Sequence, residues 1–300
     1  MDEKRKAMIL GSFLGDSLAL GVHWIYDVDR IQREFGRVDR LSKPLKDSYH
    51  PTKDAGEFTH YGDQTLVLLE SVVSGRKFDL RDFAVSWRKL FENYSGYFDH
   101  ATKGTLKNLA EGRDPAQSGS NSSDLAGAAR IAPLVAIHTA DQEELVSDVR
   151  AQTAMTHNHP VVLQDAEFFA RTLWLVLSGM APIAAMENVC ADCFHGSSLD
   201  ESVSRGLASA GNPTIDVVLK FGQSCDARGA FPAVIHLIAR YENNLRNALI
   251  ENVMAGGDSA ARGMLVGMVL GAHLGMEAIP VEWLDALKKK KHILDLLERL

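Results

Sequence analysis

A single all-α domain is the fold that this 300-residue sequence predicts, and three observations predict it. Apolar residues recur at helical spacing from end to end, period-2 alternation is scarce, and no Asn-Gly or Asp-Gly hairpin signal occurs. Glycine outnumbers proline 24 to 9, a balance that suits long helices pressed together more than a loop-rich sandwich. With 46% hydrophobic and 24% charged residues the chain has the composition of a globular core, which excludes disorder and fibrous classes.

The elements follow in order. Behind a charged start (Asp2 to Lys6) runs an apolar stretch with Gly11 and Gly15 four apart, cut by Asp16 before a signal-peptide core can form. Three rings, His23, Trp24 and Tyr26, come next, and Arg40 to Tyr61 reads as irregular. Leu66, Leu69 and Val73 form a helical stripe, and Asp79 precedes the next helix as its cap. A second irregular stretch, Asp114 to Asp124, contains the polar loop Ser118 to Ser123. Asp141 with Glu144 and Ser198 with Glu201 fit capping boxes, and between them Phe168, Phe169, Thr172, Leu173 and Val176 hold one face. The last helix carries Ile293, Leu296, Leu297 and Leu300. No Pro- or Ser-rich linker divides the chain, so one domain is expected over residues 1–300.

Charge and motifs narrow the function classes. Thirty-two basic residues against 39 acidic ones argue against a nucleic-acid binder, which works through phosphate neutralisation. The Lys288 to Lys291 run shares its helix with Asp295 and Glu298 and reads as a solvated face. The most apolar stretch, Gly263 to Met276, is shorter than the roughly 20 residues a bilayer needs, so no membrane partner is expected. An odd count of three cysteines fits a reducing cytoplasm rather than a disulfide framework. Cys190-Ala-Asp-Cys193, with His195 and the distant Cys225, has the letters of a zinc site but lies on a helical stretch. No Gly-x-Gly pair and no Gly-Lys-Ser/Thr occurs, which removes dinucleotide and P-loop chemistry.

The informative signal is glycine beside aspartate. Gly263, Gly267, Gly271 and Gly275 lie on one helical face, although each helix-interior glycine costs about 1 kcal/mol relative to alanine. Tight helix packing accounts for them. Asp16 follows Gly15 and Asp258 follows Gly256-Gly257, while ordinary helix capping would explain Asp258 alone. Between them, Gly56 to Thr65 delivers Asp63 and Thr65 to the head of an apolar helix, as oxygen-ligand sites for hard cations require.

These elements resemble the ADP-ribosylglycohydrolases, all-helical enzymes that remove ADP-ribose from proteins or related adducts. Gly11 to Ala19 resembles the family's opening Gly-x-x-x-Gly-Asp-Ala-Leu-Gly, and Gly62-Asp63-Gln64-Thr65 lies where the family has Thr-Asp-Asp-Thr. Arg130-Ile-Ala-Pro-Leu134, Thr156-His157 with Pro160, and Gly256-Gly257-Asp258-Ser259-Ala260-Ala261 are similar to three further family elements, in the same order. Gly21 to Tyr26 and Gly257 to Gly263 resemble most closely the branch that includes the J-type lens crystallins.

The resemblance implies a cleft lined by Asp16, Asp63, Gln64, Thr65, Asp258 and Ser259. It implies Asp63 or Asp258 as the catalytic carboxylate, and Asp63, Thr65, Asp258 and Ser259 as what remains of a magnesium site. His23 and Trp24 would stack on base or sugar, with Asp124, His157, Gly256 and Gly257 completing the ligand contacts. Core filling would serve for Trp24 equally well. Active members hold two Mg²⁺ or Mn²⁺ ions with acids that are here Gln64 and Ala260, and with threonines that are here Gly62 and Ala261. Two readings follow: hydrolysis of a glycosidic bond in ADP-ribose or a related nucleoside adduct, or a crystallin-like binding or structural protein that has lost the ions.

Overall fold

The computed structural model describes residues 1–300 and contains seventeen α-helices and no β-strand. Its main core is a cluster of 80 buried residues reaching from Ala7 to Leu297, so both ends of the chain share it, and Val218, Ala233 and Ala255 form a small satellite. No helix is long and apolar enough to cross a membrane.

Two helices form the axis. The opening helix, Glu3–Ala19, and the glycine helix, Ser259–Leu274, lie backbone to backbone. A methyl placed on Gly11 would overlap the Gly267 carbonyl oxygen, one on Gly15 the Gly263 carbonyl, and one on Gly271 the Ala7 carbonyl. Any side chain there forces the helices apart, and that outweighs the propensity cost of glycine. The glycine helix is buried along its length up to Ala272, which is why its sequence is apolar on every face.

Caps set where helices begin. Asp79 and Asp141 accept the backbone N–H groups of their first turns. Ser197, not Ser198, caps the helix Ser198–Ala208 through the Asp200 N–H, one residue earlier than the capping-box spacing predicts. Arg40 to Thr59 forms no helix, as expected. Cys190–Phe194 is a π-helical turn that continues the helix Pro182–Val189. Within it Cys190 is buried and Cys193 exposed, and neither joins a cluster able to hold a metal.

Candidate active site

Three chain segments meet at the N-terminal end of the glycine helix. Gly256 and Gly257 adopt φ of +69° and +67°, a region open to glycine, and turn the chain into that helix. Their backbone is tied on both sides: Gly257 N–H donates to the Ile25 carbonyl (2.8 Å), Trp24 N–H to the Gly257 carbonyl (2.9 Å), and Asp258 N–H to the Gln223 carbonyl (2.8 Å). The two glycines thus build the turn by their backbone. Buried Arg262 braces it from below, donating to the Gly256 carbonyl (2.5 Å) and the Asn252 side chain (3.1 Å). This frame aims Asp258, whose Oδ1 caps Ala261 N–H at 3.4 Å and whose Oδ2 is buried with no partner. Burial pushes its carboxyl up to about 6.

Asp124 arrives from the second irregular loop. An antiparallel bridge of Asp124 with Asp226 and a parallel bridge of Ser120 with His157 fix that loop against its neighbours. Asp124 accepts from Ala126 N–H (2.8 Å) and from the Tyr61 hydroxyl (3.2 Å). Burial, and next the charge of Asp258, hold its carboxyl well above the ordinary range. Asp124, Cys225 and Asp258 each bring one ligand atom within 4.8 Å of the others. Burial and the two carboxylates also push the Cys225 thiol up, so it stays protonated.

Imidazoles form the other wall. His23, His50 and His60 are buried to 1% exposure or less, with ring centroids 5.4 Å apart for the first pair and 5.5 Å for the second. None of their ring nitrogens makes a hydrogen bond, although His23 Nδ1 lies 3.6 Å from Asp258 Oδ1 and His60 Nε2 lies 3.2 Å from Asp99 Oδ2. Burial first, and neighbouring imidazoles next, lower His23 well below its usual value and His50 to about 3. His157 donates or accepts with Thr156 Oγ1 at 2.8 Å through Nδ1, while its buried Nε2 is free; burial takes it to about 3 as well. With the unpartnered hydroxyl of Ser259, these atoms make a concentrated set of unsatisfied buried polar groups. Native interiors rarely leave such groups without a partner.

Trp24 covers the stack. Its φ is +63°, a costly conformation for a bulky residue, and its ring lies 4.3 Å from His23, 4.9 Å from Tyr49 and 5.0 Å from Tyr97. Tyr49 is half exposed, and beside it a crevice of about 150 Å³ runs past Trp24 to His23.

The Asp63 cluster is arranged differently. Asp63 Oδ2 accepts from Lys53 Nζ at 2.5 Å and from the Tyr94 hydroxyl at 2.6 Å, so a cation of the chain itself already neutralises it. Gln64 spends its amide on the His60 carbonyl, the Trp87 indole and Arg130, at 2.9, 2.7 and 2.7 Å, and thus ties the helix to the core. Thr65 donates to the Tyr61 carbonyl at 2.9 Å. Asp16 accepts from Thr59 N–H (2.8 Å) and Thr59 Oγ1 (2.5 Å), and a side chain on Gly62 would run into it. Burial raises its carboxyl to about 6 against those bonds. Asp16 therefore anchors the start of the helix His60–Gly75.

A pair of divalent ions does not fit this donor set. Their mutual repulsion calls for several free anionic oxygens, whereas Asp63 holds an ammonium, Gln64 is neutral and fully bonded, and Ala260 and Ala261 offer nothing. Asp124, Cys225 and Asp258 offer room for one ion at most. Lys53, Tyr94, His50 and Cys225 carry no local motif that marks them for this site; the fold brings them in from irregular segments and loops, whereas His60 lies within the Gly56 to Thr65 segment, at the first position of its helix.

The sequence profile of the ADP-ribosylglycohydrolases matches residues 1–300. The chain belongs to that family. It is 26% identical to Crystallin J1A of Tripedalia cystophora, with 99% of this chain and 96% of that protein aligned, and 24% identical to Crystallin J1B of the same animal, over 98% and 94%. An uncharacterized protein of Archaeoglobus fulgidus is 25% identical over 100% and 96%. A solved structure described as an ADP-ribosylglycohydrolase-related protein complex superimposes with a TM-score of 0.75, 25% identity and coverage of 99% and 96%. The helical architecture is therefore that of this glycohydrolase family.

Proposed function

We propose that the protein binds an ADP-ribose-like or other nucleoside-containing ligand beneath Trp24. It then hydrolyses the ligand's glycosidic bond with Asp258 and Asp124, without a dinuclear metal centre. The observation that carries this reading is the pairing of an unpartnered buried Asp258 oxygen with a second buried carboxyl less than 4.8 Å away. Two acids so close share protons, and their environments separate them: burial and the charge of Asp258 hold Asp124 well above the ordinary carboxyl range, so it is the proton donor, while Asp258 is ionised above about 6.

Roles follow from that difference. Asp124 protonates the departing nitrogen or oxygen as its bond to the anomeric carbon breaks, and Asp258 Oδ2 supplies negative charge to the oxocarbenium-like carbon. Carboxyls this close favour direct attack by Asp258 and a covalent intermediate, because a water-mediated inversion calls for roughly 6.5–9.5 Å. Ionised Asp124 then deprotonates the water that releases the sugar. The free nitrogens of His23, His50 and His157 offer hydrogen bonds to ribose hydroxyls, and Trp24 offers a face for stacking.

Titration calorimetry of the chelated protein with ADP-ribose tests the binding half. Saturable binding that ignores added Mg²⁺ is expected, together with at least about tenfold loss in Trp24→Ala. No heat with or without metal would remove the ligand from the reading. The second reading, a non-catalytic crystallin-like protein, is favoured by the Lys53 to Asp63 pair and by the two crystallin relatives. ADP-ribose binding without turnover of any linked adduct is its signature.

A further inference from the structure

A second cavity, about 350 Å³, lies between the helices Pro160–Leu177, Ser198–Ala208 and Ala227–Arg240. The segment Cys225–Ala227 separates it from the Asp258 site, held by Ala227 N–H on the Ser123 carbonyl (2.8 Å) and by the Ser123 hydroxyl on Asp226 (2.8 Å). Leu199, Ala227 and Phe231 make its floor apolar. Asp165 stands beside them, 3% exposed, with its Oδ2 buried and unpartnered, while Gln164, Ser198 and Ser202 line the remaining wall.

A carboxyl buried in apolar surroundings without a donor is unfavourable in either protonation state. Arg205 and Arg228 also line the cavity, yet neither pairs with Asp165. Arg205 lies over the Phe221 ring at 5.1 Å, Arg228 leans toward Asp226 at 3.9 Å, and the one charged group acting on Asp165 is Asp226, another acid. Glu201 adds a second carboxylate at the rim. We infer that this cavity binds a small organic cation, an ammonium or guanidinium group on an apolar stem, with Asp165 as its counter-ion. The apolar floor takes the stem, and the charge-assisted hydrogen bond gives Asp165 the partner it lacks. Because burial keeps Asp165 protonated when the cavity is empty, a bound cation ionises it and expels its proton.

Calorimetry with butylamine and agmatine, and with butanol as the uncharged control, tests this independently of glycosidic chemistry. Both amines are expected to bind saturably and butanol not at all, with a binding heat that varies with the ionisation enthalpy of the buffer. Asp165→Asn is expected to weaken amine binding by about tenfold or more and to melt no lower than the parent. Asp165→Leu, which keeps the wall packed, serves if the amide variant folds poorly. Saturable binding of the amines unchanged in both variants, or no saturation by either amine, overturns the inference. Loss of glycohydrolase activity with amine binding intact would touch only the reading of the Asp258 site.

Discussion

At the scale of single residues, three aspartates singled out by their motifs have three different fates. Asp16 is spent on Thr59, Asp63 on Lys53 and Tyr94, and Asp258 keeps a free oxygen. Asp258→Asn is therefore expected to reduce turnover by about 10³-fold or more, while its melting temperature stays level or rises because an unpaired buried charge is relieved. Thermal melts beside initial rates check both halves, and a large stability loss would make the residue structural. Lys53→Met is expected to cost about 1–3 kcal/mol, since it leaves a partly buried carboxylate with only the Tyr94 hydroxyl, and denaturant titration measures it. Asp258 was legible from its glycines and its position at a helix start. Lys53 was not: an ammonium returning from an irregular segment to a carboxylate ten residues on leaves no periodic trace.

Elements were the most legible level, because helices announce themselves through apolar spacing and caps. The stripe Gly263, Gly267, Gly271 and the caps Asp79 and Asp141 behave as their residue types require. Ser197 displaced Ser198 because the cap is set by which hydroxyl faces the Asp200 N–H, a matter of loop geometry and not of spacing. The glycine pairing gives a prediction with an internal control. Gly267→Ala places a methyl on the Gly11 carbonyl and is expected to destabilise by about 1–3 kcal/mol, despite the better helix propensity of alanine. Gly75→Ala, at a helix end with open space around it, is expected to be neutral or to stabilise by up to about 1 kcal/mol. Equal effects at both positions, read from chemical denaturation, would contradict backbone contact between the two helices.

For the whole molecule, the buried imidazoles make stability depend on pH. His50 titrates near 3 when folded and near 6.5 when unfolded, so below pH 6.5 the unfolded chain gains a proton that the folded one refuses. Its contribution is intact above pH 6.5 and is lost as pH falls toward 3. Asp16 and Asp258 act in the opposite sense between about 4 and 6, their raised values favouring the folded state as they protonate. Subtracting the profile of His50→Phe from that of the parent cancels the acids. From pH 6.5 to 5 the parent is expected to lose about 2 kcal/mol more than the variant, measured by denaturant titration at each pH. None of this was legible in the sequence, since burial and the stacking of His23, His50 and His60 arise only when the turn after the first helix meets the irregular stretch that leads to His60.

The proposed metal-independent chemistry of the Asp124 and Asp258 pair is tested most directly by turnover of N- and O-linked ADP-ribosylated peptides after exhaustive chelation. Activity is expected to change less than about twofold on adding Mg²⁺ or Mn²⁺, to rise with pH through about 6 as Asp258 ionises, to survive in Asp63→Asn and to vanish in Asp258→Asn. Activity that disappears on chelation and returns with Mg²⁺, or that fails in Asp63→Asn while persisting in Asp258→Asn, would contradict it.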